Sequence, residues 1–201
     1  MDINISAITE AVLKAIENTS TDDGEIPVGI SNRHIHLSKE DVETLFGAGY
    51  ELTPCKELLT IVGPSLRPIE KVRVLGPVRS ASQVEISRTD AYVLKVSPPV
   101  RESGKTEGSA PITIIGPKGV VTLKEGLIIA NRHIHMSLED GEKFGVKDND
   151  YVDVDAYSER RTRFFDVQVR VHKNFRLEMH LDTDDANAAG LKNGSKVSIV
   201  K

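Results

Sequence analysis

Short runs of apolar and β-branched residues alternate with turn residues over most of this chain. Lys71 to Leu75, Gln83 to Ile86, Ala91 to Val96, Ile112 to Ile115, Val120 to Leu123, Leu127 to Ala130, Tyr151 to Asp155, Phe164 to Val171, Leu177 to Leu181 and Lys196 to Val200 all read as strands. Gly63-Pro64, Gly76-Pro77 and Gly116-Pro117 punctuate them, where the freedom of glycine and the fixed φ of proline suit turns. Many short strands with frequent turns predict small barrels or a sandwich. Helices are few and brief. Ser38 and Ser137 precede Asp41 and Asp140 by three positions, as in a capping box, and Asp182 to Ala189 reads as a third short helix ended by Gly190. Arg101 to Ala110 is polar and reads as a surface loop.

The first residues follow a different period. Ile5, Ile8, Val12, Ala15 and Ile16 fall on one helical face, with Thr9, Glu10, Lys14 and Glu17 opposite, and a polar spacer runs from Thr19 to Glu25. Such a helix on a leash either docks onto a partner or packs on its own protein's surface.

Two repeats cut across this pattern. Asn32-Arg33-His34-Ile35-His36-Leu37-Ser38-Lys39-Glu40-Asp41-Val42-Glu43 recurs as Asn131-Arg132-His133-Ile134-His135-Met136-Ser137-Leu138-Glu139-Asp140-Gly141-Glu142, identical at nine of twelve positions with a constant offset of 99. A weaker one relates Gly145 to Val154 with Gly190 to Ile199, each a helix end, a polar turn and a strand. The 201 residues are therefore better divided into two halves than taken as one domain.

Composition narrows the function classes. A net charge of −4 argues against a general nucleic-acid surface, and the lack of tryptophan argues against stacking platforms for single strands. No apolar run approaches the roughly 20 residues needed to cross a bilayer, and no secretory signal is visible. The lone Cys55 excludes an internal disulfide framework and agrees with a reducing compartment.

The chemistry lies in the longer repeat. On a strand the two histidines of His-Ile-His share one face while the isoleucine points into the opposite layer. Each copy is thus a pair of imidazoles able to clasp a transition metal, for which zinc is the foremost candidate. Zinc takes three or four protein ligands, so each pair needs at least one more. His180, at a strand end before the candidate helix, fits that role, whereas His172 reads as solvated. Glu85 faces away from Val84 and Ile86 and is either a carboxylate ligand or a solvated strand glutamate. Arg79 lies in a turn ahead of Ser80 and Ser82, where a guanidinium fork and hydroxyls suit phosphate. Arg33 and Arg132 point away from the histidine pairs and would brace the acidic flank or the other half. No P-loop or dinucleotide fingerprint is present.

With these residues in place, the chain resembles the phosphate propanoyltransferase family, the PduL-type phosphotransacylases associated with bacterial microcompartments. The resemblance runs from about Pro27 to the C-terminus and rests on Ser31-Asn32-Arg33-His34-Ile35-His36, Arg79 with Glu85, Asn131-Arg132-His133-Ile134-His135, and His180 with Asn187. It implies a mainly β fold with short capping helices: two small β-barrels related by the repeat, residues 26–36 with 131–201 in one and 37–130 in the other. Two zinc ions would lie between them, one held by His34, His36 and Glu85, the other by His133, His135 and His180. Arg79 would bind phosphate, and Ser31, Asn32, Lys56, Arg73, Leu75 and Asn187 would line the CoA site.

The resemblance implies the reaction acyl-CoA + phosphate ⇌ acyl phosphate + CoA on a short acyl group such as propanoyl. It also implies a place in propanediol degradation, in a microcompartment or in the cytoplasm, with residues 1–25 as an encapsulation peptide whose first 20 contact shell or cargo. A homo-oligomer is compatible with it. Competing readings are a dinuclear zinc hydrolase of a thioester or phosphate ester and a metal-braced scaffold without turnover. Cys55 has no general base paired with it and reads as packing.

Overall fold

The computed structural model describes residues 24–31, 33–53, 56–76 and 78–200. The expected helix and nearly all of its spacer, together with Asn32 and Cys55, lie outside the described residues. The strands are β1 (Glu25–Ile30), β2 (His34–His36), β3 (Leu58–Val62), β4 (Pro68–Val74), β5 (Gln83–Glu85), β6 (Val100–Arg101), β7 (Ala110–Ile115), β8 (Val120–Ala130), β9 (His133–Met136), β10 (Tyr151–Ala156), β11 (Thr162–Val171), β12 (Glu178–Leu181) and β13 (Lys196–Ile199). The helices are α1 (Lys39–Phe46), α2 (Arg88–Leu94), α3 (Leu138–Phe144) and α4 (Thr183–Ala188).

These strands close two six-stranded barrels. One runs β1-β12-β9-β11-β10-β13 and packs Ile26, Val28, Ile134, Met136, Val169 and Met179 inside. The other runs β5-β2-β4-β3-β7-β8 and closes by pairing β5 with β8, with β6 added outside β8; Ile35, Leu59, Ile61, Val72, Val84 and Ile112 fill it. Closure pairs each barrel strand on both sides and so removes their exposed edges, leaving only the two-residue β6 with a free side among the described strands.

The chain crosses between the barrels twice, once between Ile30 and His34 and once between Ala130 and His133. Both crossings run through an Asn-Arg pair of the longer repeat. The first lies ahead of the boundary at residue 36 that the family resemblance implies. β2 is held between β4 and β5, with His34 opposite Arg73 and Glu85, and Ile35 is fully buried in that barrel's core. The first histidine pair therefore belongs with residues 37–130, not with β1.

Ala91 to Val96, which reads as a strand, lies mostly in α2. Ser87 caps that helix by accepting from the Asp90 N–H at 3.2 Å, while the Asp90 carboxylate accepts from the Ser87 N–H at 3.4 Å. This reciprocal cap, with Ala91 and Leu94 both buried, overrides the β preference of Tyr92 and Val93, which stay on the outer side. Val120 to Leu123 and Leu127 to Ala130 are one strand, β8, that passes through Gly126 at φ +146°, a conformation only glycine adopts without strain. The polar stretch after Arg101 is a loop of residues 102–109, but it folds back over the β2 to β5 strand pair instead of standing free in solvent.

Candidate active site

Pleating brings His34 and His36 to one face of β2 and His133 and His135 to one face of β9, while Ile35 and Ile134 are fully buried in the two cores. The third donor of each set comes from the neighbouring antiparallel strand. His34 stands opposite Glu85 of β5, and His133 opposite His180 of β12. Both strands lead directly into a helix cap, Ser87 for α2 and Asp182 for α4.

The matched geometry exposes a repeat that residue identity along the chain does not reveal. Gln83-Val84-Glu85-Ile86-Ser87-Arg88-Thr89-Asp90-Ala91 superposes in role on Glu178-Met179-His180-Leu181-Asp182-Thr183-Asp184-Asp185-Ala186. Core positions, donor, cap and helix acid all correspond, although only the final Asp-Ala is identical. Arg33 pairs with Asp90 at 3.2 Å and Arg132 with Asp185 at 3.7 Å, so each repeated arginine braces the capped helix of its own barrel.

In each set the three donor atoms lie within 4.8 Å of one another. Glu85 Oε2 is 3.3 Å from His34 Nε2, and Oε1 is 4.0 Å from His36 Nε2. The rings of His133, His135 and His180 stand 4.4–4.9 Å apart, centroid to centroid. His133 Nδ1 lies 2.8 Å from the Asn131 carbonyl, and a bond donated there leaves Nε2 as the lone-pair nitrogen. His135 Nε2 is buried without a hydrogen-bond partner. Unpartnered buried imidazole nitrogens are costly unless something else takes the lone pair. Mixed imidazole and carboxylate donors in threes suit zinc, so the residues present fit that ion.

Their protonation suits it as well. Burial, reinforced by Arg79 and His34, lowers His36 to about 4. Burial lowers His133 to about 4 against the opposing pull of the Asn131 carbonyl, and burial with His180 lowers His135 to about 3. His180 is also lowered by burial, partly offset by Glu178. Burial pushes the Glu85 carboxyl up, but His34, Ser103 and His36 outweigh it and hold it at about 2. At neutral pH Glu85 is therefore a carboxylate, and His36, His133 and His135 are neutral imidazoles.

This arrangement has a pH signature. Unfolded, these histidines titrate near 6.5; folded, His36, His133 and His135 titrate near 4, 4 and 3. Between those values the unfolded chain binds more protons, so stability present above pH 6.5 is lost as pH falls toward 4. Calorimetry of chelator-treated protein is expected to show its unfolding midpoint dropping through that window. A His135→Asn variant should show a shallower drop, and an equal slope in the two would contradict the assignment.

The two donor sets open into one cavity of about 270 Å³ between the barrels. Arg79 reaches it from one side and Arg170 of β11 from the other, while Leu75, Ile86, Leu181 and Phe175 supply apolar wall. Phe175 stacks on His135 at 4.0 Å, and the Arg170 guanidinium lies 5.9 Å from the same ring. An adjoining cleft of about 520 Å³ shares Ser31, His34, Leu75 and His180 with the cavity and carries Arg33, Lys71 and Arg73.

Of the sequence-read residues, the structure gathers His34, His36, Glu85, His133, His135, His180 and Arg79 at the cavity, and Ser31, Arg73 and Leu75 at the cleft. Lys56 and Asn187 line neither. Ser80 is exposed, and Ser82 serves α1 instead of an anion, accepting from the Ser38 N–H at 2.8 Å and donating to Asp41. His172 is exposed and belongs to neither donor set. Arg170, Phe175 and Ser103 were missed, because strand pairing and a folded-back loop bring them in and no local motif marks them. Only the register of Arg170 against His135 could have signalled the first.

The family model described as phosphate propanoyltransferase matches residues 27–192. A phosphate propanoyltransferase of Lachnoclostridium phytofermentans is 53% identical over 211 aligned positions, covering 99% of each chain. One from Thermotoga maritima is 57% identical over 88% of this chain and 89% of its own, and one from Priestia megaterium 48% identical over 94% and 92%.

Proposed function

Since the chain belongs to the phosphate propanoyltransferase family, whose members are transferases of acyl groups, we propose that it interconverts a short acyl-CoA and phosphate with acyl phosphate and CoA in a zinc-dependent reaction. The observation that carries this is a single cavity faced by two three-donor sets and two arginines, one of each from either barrel. His34, His36 and Glu85 would hold one ion and His133, His135 and His180 the other. Bound there, zinc supplies Lewis acidity for a thioester carbonyl and a soft partner for a thiolate.

The chain's own residues account for the rest. Arg79 presents a guanidinium fork to phosphate, and Arg170 adds a second positive charge across the cavity. Arg33, Lys71 and Arg73 in the adjoining cleft offer charge for the phosphates of CoA, whose thioester end enters past Ser31 and Leu75. The apolar wall and the modest volume favour a short acyl chain. A phosphate oxygen attacks the thioester carbon; the C–O bond forms, the C–S bond breaks, and the proton of hydrogen phosphate ends on the CoA sulfur. Holding both substrates in line lowers the barrier without a covalent acyl-protein step. Residues 1–25, by their sequence pattern, are proposed to direct encapsulation in a microcompartment.

The test is to incubate zinc-loaded protein with propanoyl-CoA, with and without phosphate, and to measure free thiol and acyl phosphate. The expected result is equal amounts of both, dependent on phosphate and abolished by chelation until zinc is restored. Thiol release indifferent to phosphate would identify a hydrolase, and no turnover with both ions retained would identify a scaffold.

A further inference from the structure

The folded-back loop between β6 and β7 carries an interaction that the mechanism above does not use. Ser103 Oγ accepts from Arg79 Nη1 at 3.1 Å and from Gln83 Nε2 at 2.9 Å, and it donates to Glu85 Oε1 at 2.7 Å. A hydroxyl has one proton and two lone pairs, so all of its bonding capacity is committed. The Gly104 N–H donates to Gln83 Oε1 at 2.8 Å, and Gln83 Nε2 also donates to Glu85 Oε1. Glu85 Oε1 is thus bonded from the loop and from its own strand, while Oε2 faces His34 Nε2 at 3.3 Å. One serine joins the arginine assigned to phosphate with the only carboxylate among the six donors.

We propose that Ser103 is a positioning residue that couples phosphate binding at Arg79 to the metal-holding pose of Glu85. By occupying Oε1 it leaves Oε2 as the oxygen offered to an ion, and by holding Nη1 it leaves the remaining guanidinium N–H groups for phosphate. Coupling of this kind is reciprocal: an ion that orders Glu85 also orders Arg79, and phosphate on Arg79 tightens the ion. It is confined to one of the two sites. At the other, His180 stands in the place of Glu85, and its close partner is Glu178 at 3.1 Å on its own strand, with no loop hydroxyl among the described residues.

The inference rests on the phosphotransacylase reading for its phosphate and on zinc for its ion, so its experiment reads the two separately. Zinc affinities of both sites are measured by competition with a chromophoric chelator, and KM is measured for phosphate and for propanoyl-CoA. The proteins are wild type, Ser103→Ala, Ser103→Thr, Arg79→Ala and the Ser103→Ala/Arg79→Ala double variant. Loss of a hydrogen bond to charged partners is expected to raise the phosphate KM of Ser103→Ala about tenfold while the propanoyl-CoA KM stays within about twofold. One zinc of the two should weaken by about tenfold. Ser103→Thr, which keeps the hydroxyl, should restore both, and the phosphate effect should vanish in the Arg79→Ala background.

A Ser103→Ala protein with an unchanged phosphate KM and two unchanged zinc affinities would overturn the proposal. So would a phosphate effect of undiminished size in the double variant, or equal weakening of both zinc sites. Wild-type protein that forms no acyl phosphate would overturn the functional reading instead, and the chelator competition would still decide whether Ser103 supports Glu85.

Discussion

Replacing His133 with alanine is expected to leave a folded protein that holds one zinc ion instead of two and forms acyl phosphate about a thousandfold more slowly. His133 lies opposite His180 across the strand pair, stacks on it at 4.9 Å, and has its Nδ1 against the Asn131 carbonyl. Without it, His135 and His180 form a two-donor remnant, below the three ligands a catalytic zinc site needs. Stability of the metal-free fold should change little, because His133 lines the cavity and is not part of the packed interior formed by Ile134 and Met136. Metal analysis, thermal unfolding and a thiol-release assay on one preparation check the three parts together. His172→Ala, exposed and outside both donor sets, serves as the control and should keep wild-type activity. Loss of one ion with full activity would show that this set is not catalytic.

Arg79→Ala should act on one substrate. The guanidinium sits at the cavity beside Glu85 and Ser103, with burial lowering its pKa and Glu85 opposing that shift. A half-buried cation facing a dianion is worth far more than one in water, and its removal is expected to reduce kcat/KM for phosphate by about a hundredfold. The KM for propanoyl-CoA and the zinc content should stay near wild type. Arg79→Lys should recover only a fraction, because an ammonium cannot reproduce a planar fork that binds Ser103 and phosphate together. Steady-state kinetics with each substrate varied at saturation of the other decides it, and an unchanged phosphate KM with an unchanged rate removes Arg79 from the site.

Much of the site was legible because its donors sit in a duplicated local pattern. Two His-Ile-His strands need only the alternation of a strand to declare a shared face, and His180 and Glu85 each stand one residue from an apolar neighbour on either side. The caps at Ser38 and Ser137 were equally readable, since capping depends on residues three apart. One failure was a local cap that went unread, and the others were non-local. Tyr92 and Val93 look like strand residues until the reciprocal Ser87 and Asp90 cap is recognised, and the crossing before His34 is set by pairing with β4 and β5 far along the chain. Ser103 has no motif of its own. It becomes functional only because its loop returns to Arg79 and Glu85, a contact that spacing cannot reveal.

The double crossing between barrels also sets an order of assembly during synthesis. β2 through β8 form one continuous stretch, so their barrel can close once that stretch clears the ribosome. β1 emerges earlier but must wait, because Val28 pairs with Met179 and Ile26 with Val197. A nascent chain that has reached Ala130 already carries Arg79 and the donors His34, His36 and Glu85, yet apart from Ser31 none of the opposing wall of the cavity. Interrupted translation therefore yields half a centre with nothing to confine a thioester against it, and the reactive chamber is complete only when the last strand has been made.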